Sequence, residues 1–142
     1  VDAEGYRKLL HEYRGKPLLV NFWATWCEPC RFEYPDINLI AREYSPRGLV
    51  VLGVSFDDDG DLNILRRFLA RHLPVFRNVR MKPGNQPAFV RAVDPAWRGG
   101  IPATLLYDRN GRIVQRFDGP QKREVFARAV EELLGPASSA AR

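Results

Sequence analysis

Two cysteines are all that the 142-residue chain contains, and they stand two residues apart in Trp26-Cys27-Glu28-Pro29-Cys30. The run before them, Lys16 to Ala24 (KPLLVNFWA), is mostly apolar and β-prone, whereas from Glu28 onward the chain reads as a helix. Cys27 is therefore expected at a helix N-terminus, where partial positive charge and unpaired backbone N–H groups favour the thiolate, the nucleophilic form. Cys30, one turn later, would lie beneath it and resolve the mixed disulfide that forms when Cys27 attacks a partner. This spacing points to a redox dithiol.

The same spacing makes half of a four-ligand zinc site, which would need two more ligands. No further cysteine exists, and His11 and His72 stand alone. A purely structural disulfide is the blander alternative, but so short a loop gives little loop-closure stabilisation. Neither a cofactor nor a metal is expected.

The length suits one domain with a substantial core. Residues 1–135 are expected to form it, with 136–142 (PASSAAR) as a flexible tail. A chain that opens on Val1 is expected to have been trimmed, so a targeting segment or anchor would be out of view. No stretch approaches the roughly 18 apolar residues of a membrane span. The net charge of +5 reads as a scattered solvated surface. Phe76 to Lys82 (FRNVRMK) and the Arg66, Arg67, Arg71 set resemble no nucleic-acid motif, so no nucleic-acid partner is expected. A CxxC pair is compatible with any compartment.

The elements that must position the dithiol follow from periodicity. Tyr6, Leu9, Leu10 and Tyr13 predict an amphipathic helix over 2–13, closed by Gly15. Leu18 to Ala24 reads as a buried strand, and the Cys27 helix as running to about Tyr44, with Phe32, Ile37, Ile40 and Ala41 inward and Pro35 kinking it. Leu49 to Phe56 (LVVLGVSF) is apolar enough for a central parallel strand, so a right-handed βαβ unit is expected. Asp57 to Asp61 (DDDGD) then caps a helix from Leu62 to about His72, a reading preferred over a metal loop because an EF-hand's remaining ligands are absent.

Further on, Leu73 to Val79 reads as a short strand and Gln86 to Val93 as a short helix. Ala103 to Tyr107 and Arg112 to Phe117 flank an Asn110-Gly111 turn and predict a hairpin. Lys122 to Leu134 closes the chain as a helix with Val125, Phe126, Ala129, Val130, Leu133 and Leu134 inward.

A βαβ unit with CxxC at its strand–helix junction, followed by a ββα unit entered through Ile101-Pro102, resembles the thioredoxin fold over nearly the whole chain. Within it, NFWATWCEPC (Asn21 to Cys30), LVVLGVSFD (Leu49 to Asp57) and WRGGIPATLLYDRNGRIV (Trp97 to Val114) resemble the TlpA/ResA-like thiol-disulfide oxidoreductases. The fold implied is α/β, a central mixed sheet flanked by helices, with an extra N-terminal helix and an insertion before the proline loop. The resemblance also implies a cis Ile101–Pro102 bond opposite the CxxC, whose preceding backbone would meet an extended substrate near Cys27. Trp26, Ile101 and Trp97 are the expected substrate-binding residues, and Glu28, Pro29, Pro102, Asp57 and Asp58 the expected modulators of the site.

Asn21 stands where many thioredoxins carry a buried, proton-relaying Asp, and Asn cannot titrate. ResA-like proteins place a carboxylate just after the second central strand, which makes Asp57 and Asp58 the relay candidates, against a capping role. Glu28 opposes the helix-terminal field at Cys27 and leaves the thiolate poorly stabilised, which favours the disulfide and hence a reductant. The expected potential lies nearer thioredoxin's, roughly −270 mV, than a strong oxidant's roughly −120 mV.

The resemblance implies a monomeric, extracytoplasmic bacterial reductase of protein disulfides, apocytochrome c among them, recharged by a membrane electron donor dithiol protein. Three readings compete with it. A peroxidase would need Pro and Thr where Val20 and Ala24 precede Cys27, or where Trp23 and Cys27 precede Cys30. A disulfide oxidase uses the same dithiol in the other direction. A non-catalytic or Sco-type copper-binding module would need a third residue between the cysteines and a histidine after His72 for its copper site.

Overall fold

The computed structural model describes residues 1–136, so the tail expected at 136–142 lies, beyond Pro136, outside the described residues. Helix α1 (Ala3–Glu12) precedes strand β1 (Leu18–Trp23), helix α2 (Glu28–Tyr44), strand β2 (Val50–Ser55) and helix α3 (Leu62–His72). Strand β3 (Arg77–Arg80) and helix α4 (Gln86–Val93) lead to strands β4 (Ala103–Tyr107) and β5 (Ile113–Asp118) and to helix α5 (Arg123–Leu134).

The strands form one sheet in the order β3-β2-β1-β4-β5. β1 pairs in parallel with β2 and antiparallel with β4, so it is the central strand and all six of its residues are buried. A strand covered on both faces must be apolar throughout, which is how Leu18 to Trp23 reads. Tyr6, Leu9, Phe22, Phe89 and Trp97 gather in one apolar cluster that joins α1 and α4 to the sheet. Leu19, Ile37, Ile40, Leu106, Phe126 and Val130 gather in a second, beneath α2 and α5. This is the mixed sheet with flanking helices, N-terminal helix and pre-proline insertion that the resemblance implies.

Several expectations need correction. Phe32 does not face inward: it is 88% exposed, and Glu33 and Tyr34 take the buried side of α2. Helical geometry explains this, because Cys30, Glu33, Tyr34 and Ile37 recur at three and four residues and share one face, while Phe32 projects from the other. Val125 is likewise exposed on α5, where Phe126 and Val130 carry the burial. The strand after α3 begins only at Arg77, because Leu73 ends α3 in a left-handed conformation (φ 45°) and the Val75 N–H is taken by the Asn38 side chain.

Gly53 in β2 is required by a close approach. A Cβ there would collide with Asn78 Oδ1 and come 3.2 Å from the Phe76 ring, and Asn78 cannot swing away without losing the bond its amide donates to Tyr34 Oη at 3.0 Å. Gly53→Ala should therefore lower stability by about 1–3 kcal/mol in urea unfolding, and an unchanged midpoint would show that Asn78 yields freely.

Candidate active site

The β1–α2 junction carries the dithiol. Cys27 is the N-cap of α2, in extended conformation (φ −98°, ψ 107°), and its Sγ accepts from the Cys30 backbone N–H at 3.3 Å. Glu28 and Pro29 follow in the first helical turn, where a carboxylate suits the positive end of the helix and a missing proline N–H costs no intrahelical bond. Cys27 and Cys30 are joined as a disulfide with Cα atoms 5.2 Å apart. Cys27 is 8% exposed and Cys30 1%, so any partner reaches Cys27 first.

The Ile101–Pro102 peptide bond is cis, and the Ile101 carbonyl oxygen lies 3.7 Å from Cys27 Sγ. Pro102 is buried and Ile101 half-buried. Trp26, expected at the docking surface, is 60% exposed beside the disulfide. Trp97 departs from the same expectation. It is buried against the Phe22 ring, 4.6 Å between centroids, and donates from Nε1 to the Gly100 carbonyl, so it supports the proline loop from below rather than meeting a partner.

Asp57 and Asp58 have separate surroundings. Asp58 is exposed and N-caps the 3₁₀ turn Asp59–Asp61, with reciprocal bonds between its carboxylate and Gly60 N–H and between Asp61 and its own N–H. This is the capping role, with no link to the cysteines. Asp57 is 1% exposed, and its carboxylate accepts from Thr25 N–H, from the Thr25 hydroxyl and from the Ser55 hydroxyl. It pins the chain two residues ahead of Cys27. Arg31 closes that loop from the other side, donating to the Thr25 carbonyl at 2.6 Å.

The sequence reading passed over two buried carboxylates, one beside the dithiol and one in the segment before the proline loop. Glu33 lies one turn beyond Cys30 on the same face of α2 and is 4% exposed. Its carboxyl accepts from Asn21 Nδ2 at 3.1 Å and from Gln121 N–H at 2.9 Å, and Asn21 also donates to Thr104. Burial pushes the Glu33 carboxyl up to about 7, against the two donated bonds that lower it and with Asp36 nearby raising it further. Asn21 thus does not titrate but holds a group that does. Asp94 is the second: it is 2% exposed, accepts from Arg116 through both oxygens and from Ala96 N–H, and ties the segment before Trp97 to β5. The signal for Glu33 was present in the chain as its spacing from Cys30, whereas the partners of Asp94 lie too far along it to read.

A family profile described as Redoxin matches residues 1–134. The chain is 36% identical over 120 residues to the thiol:disulfide interchange protein HelX of Rhodobacter capsulatus, covering 84% of this chain and 62% of HelX. It is 31% identical over 132 residues to the thiol-disulfide oxidoreductase ResA of Geobacillus kaustophilus, covering 93% and 71%. It therefore spans a little under two thirds of HelX and somewhat more of that ResA. Among solved structures, a putative thiol:disulfide interchange protein DsbE from Chlorobium tepidum superposes with a TM-score of 0.73 at 27% identity, covering 89% of this chain and 85% of that one.

Glu33 gives the site a pH signature. Its folded value of about 7 stands above its ordinary 4.5, so the folded state holds this proton more tightly than the unfolded one. Its contribution is present in full below pH 4.5 and is lost as pH rises to about 7, a difference of about 3 kcal/mol. Chemical denaturation across that window should show wild-type stability falling relative to Glu33→Gln, and parallel curves for the two proteins would place Glu33 in a more solvated state than the structure gives it.

Proposed function

We propose a function for a chain that belongs to the Redoxin family: thiol-disulfide exchange with protein partners through Cys27 and Cys30, run in the reducing direction. The observation that carries this reading is the unequal pair at the head of α2, Cys27 at the rim as N-cap and Cys30 shielded behind it. HelX is named an interchange protein and ResA an oxidoreductase of thiols and disulfides, which supports the same class of activity here.

In the reduced protein the Cys27 thiolate attacks one sulfur of the partner's disulfide. That S–S bond breaks, its far sulfur leaves as a thiolate, and a Cys27–partner disulfide forms. Cys30 then loses its proton and attacks Cys27 Sγ, expelling the partner's second thiolate and forming the Cys27–Cys30 disulfide. Two electrons and two protons pass from dithiol to partner. Glu33, a buried carboxyl with a value near neutrality one turn from Cys30, is suited to hold the Cys30 proton in the second step. The Ile101 carbonyl beside Cys27 and the exposed Trp26 offer an incoming chain a hydrogen-bond acceptor and an apolar face.

The oxidised protein must be recharged by a dithiol donor. The TlpA/ResA resemblance supports a membrane electron donor, an extracytoplasmic setting in bacteria, a monomeric state and exported substrates that include apocytochrome c. Among the described residues no helix is long and apolar enough to cross a membrane.

Reduced wild-type protein should reduce the interchain disulfides of insulin, and Cys27→Ser should abolish the reaction. Cys30→Ser should accumulate a Cys27-linked mixed disulfide visible by non-reducing mass spectrometry. Activity retained in Cys27→Ser would sink the proposal in favour of a binding module, and a protein that only oxidises dithiols would reverse its direction.

A further inference from the structure

An open groove of about 620 Å³ runs between α2 and α3, starting at Glu28, the residue after Cys27. Arg31 and Phe32 of α2 form one wall, and Ile64, Arg67 and Arg71 of α3 form the other. Phe68 and His72 also line it, their rings stacked 4.1 Å apart, and Phe68 packs on Trp23 and Tyr34 below. The groove therefore rests on the core, and its lining begins one residue after Cys27.

Two features of its lining have no use inside the chain. Phe32 is 88% exposed and Ile64 54%, on facing walls of one concavity, where apolar surface costs free energy until something covers it. Arg67 and Arg71 also make no ion pair or hydrogen bond from their side chains among the described residues, while Arg31 beside them bonds only the Thr25 carbonyl, and Arg47, Arg77, Arg80, Arg116 and Arg123 each meet a carboxylate. Burial and the charge of Arg71 favour the neutral form of His72. Against three arginines the groove holds one acid, Glu28, and its field is positive.

We propose that this groove docks an acidic, extended segment of the partner polypeptide, with an apolar side chain seated between Phe32 and Ile64 and carboxylates meeting Arg67 and Arg71. The inference rests on the thiol-disulfide reading above and says which protein disulfides the site selects: those flanked by acidic and apolar residues. A polypeptide fits better than a nucleic acid because the groove's lining starts at Glu28, next to the cysteine whose reaction needs a partner sulfur. Complementary charge speeds encounter and fixes register, while the apolar anchor slows release.

The test uses two fluorescently labelled peptides carrying Phe and a Ser in place of cysteine, one flanked by Glu and Asp and the other by Lys, titrated with the full chain by fluorescence anisotropy. The acidic peptide should bind about tenfold tighter, with the preference shrinking as salt rises. Arg67→Glu with Arg71→Glu should remove the preference, and Phe32→Ser should weaken both peptides. Arg66→Glu, exposed on α3 outside the groove, should leave binding as in the wild type. Equal affinity for the two peptides, a preference unmoved by the double variant, or tighter binding of an oligothymidylate of equal charge would overturn the proposal. The probes contain no thiol, so these results stand whether or not insulin reduction succeeds, and failure of that assay alone would strike the redox reading instead.

Discussion

A helix that starts at the end of a central strand presents backbone N–H groups that have no partners within the helix, and here a sulfur atom meets one of them. Cys27 Sγ accepts from the Cys30 N–H, which is the capping bond usually made by a Ser or Asp oxygen. The position of Cys27 follows from β1 lying between β2 and β4, so that α2 begins where loops from both neighbours converge. From β2 comes Asp57, which grips Thr25. From the approach to β4 comes the Ile101 carbonyl that faces Cys27. The N-terminus of α2 thus fixes the reactive sulfur in relation to both.

In the proposed function the same helix terminus would set the direction of the chemistry. An unmodified N-terminus would stabilise a thiolate strongly and make the reduced form the favoured one, as in strong oxidants. In this chain Glu28 occupies the first helical position and answers the positive end with its own carboxylate. Arg31 pulls the other way, but its guanidinium is turned onto the Thr25 carbonyl. Behind the sulfurs the environment is closed: Cys30 is buried, and Glu33 holds a carboxyl whose proton is retained toward neutrality by burial. On the function proposed here, a weakly stabilised thiolate in front of a buried acid would make the disulfide the favoured product and the dithiol an electron donor.

Much of the fold was legible in the chain because its signals are local. CxxC after an apolar run locates the strand–helix junction, and Asn110-Gly111 places the β4–β5 turn. What escaped reading depends on orientation or on distance along the chain. Phe32 looked like core because it is aromatic, yet the three-and-four spacing from Cys30 puts Glu33 inside and Phe32 outside. That inversion concealed a buried titratable group and an apolar groove wall together. Asp57 and Asp58 are adjacent and identical in type, and only the fold separates them, one buried against Thr25 and the other capping a turn in solvent. Trp97 read as surface because it neighbours the proline loop, but it lies beneath that loop, on Phe22.

If the Glu28 carboxylate and the buried setting of Cys30 set the balance between thiol and disulfide, the most direct test is the reduction potential of the Cys27/Cys30 pair. Equilibration with graded thiol buffers and quantification of free thiols would measure it. The account predicts a value near thioredoxin's, roughly −270 mV, and a value near roughly −120 mV would contradict it.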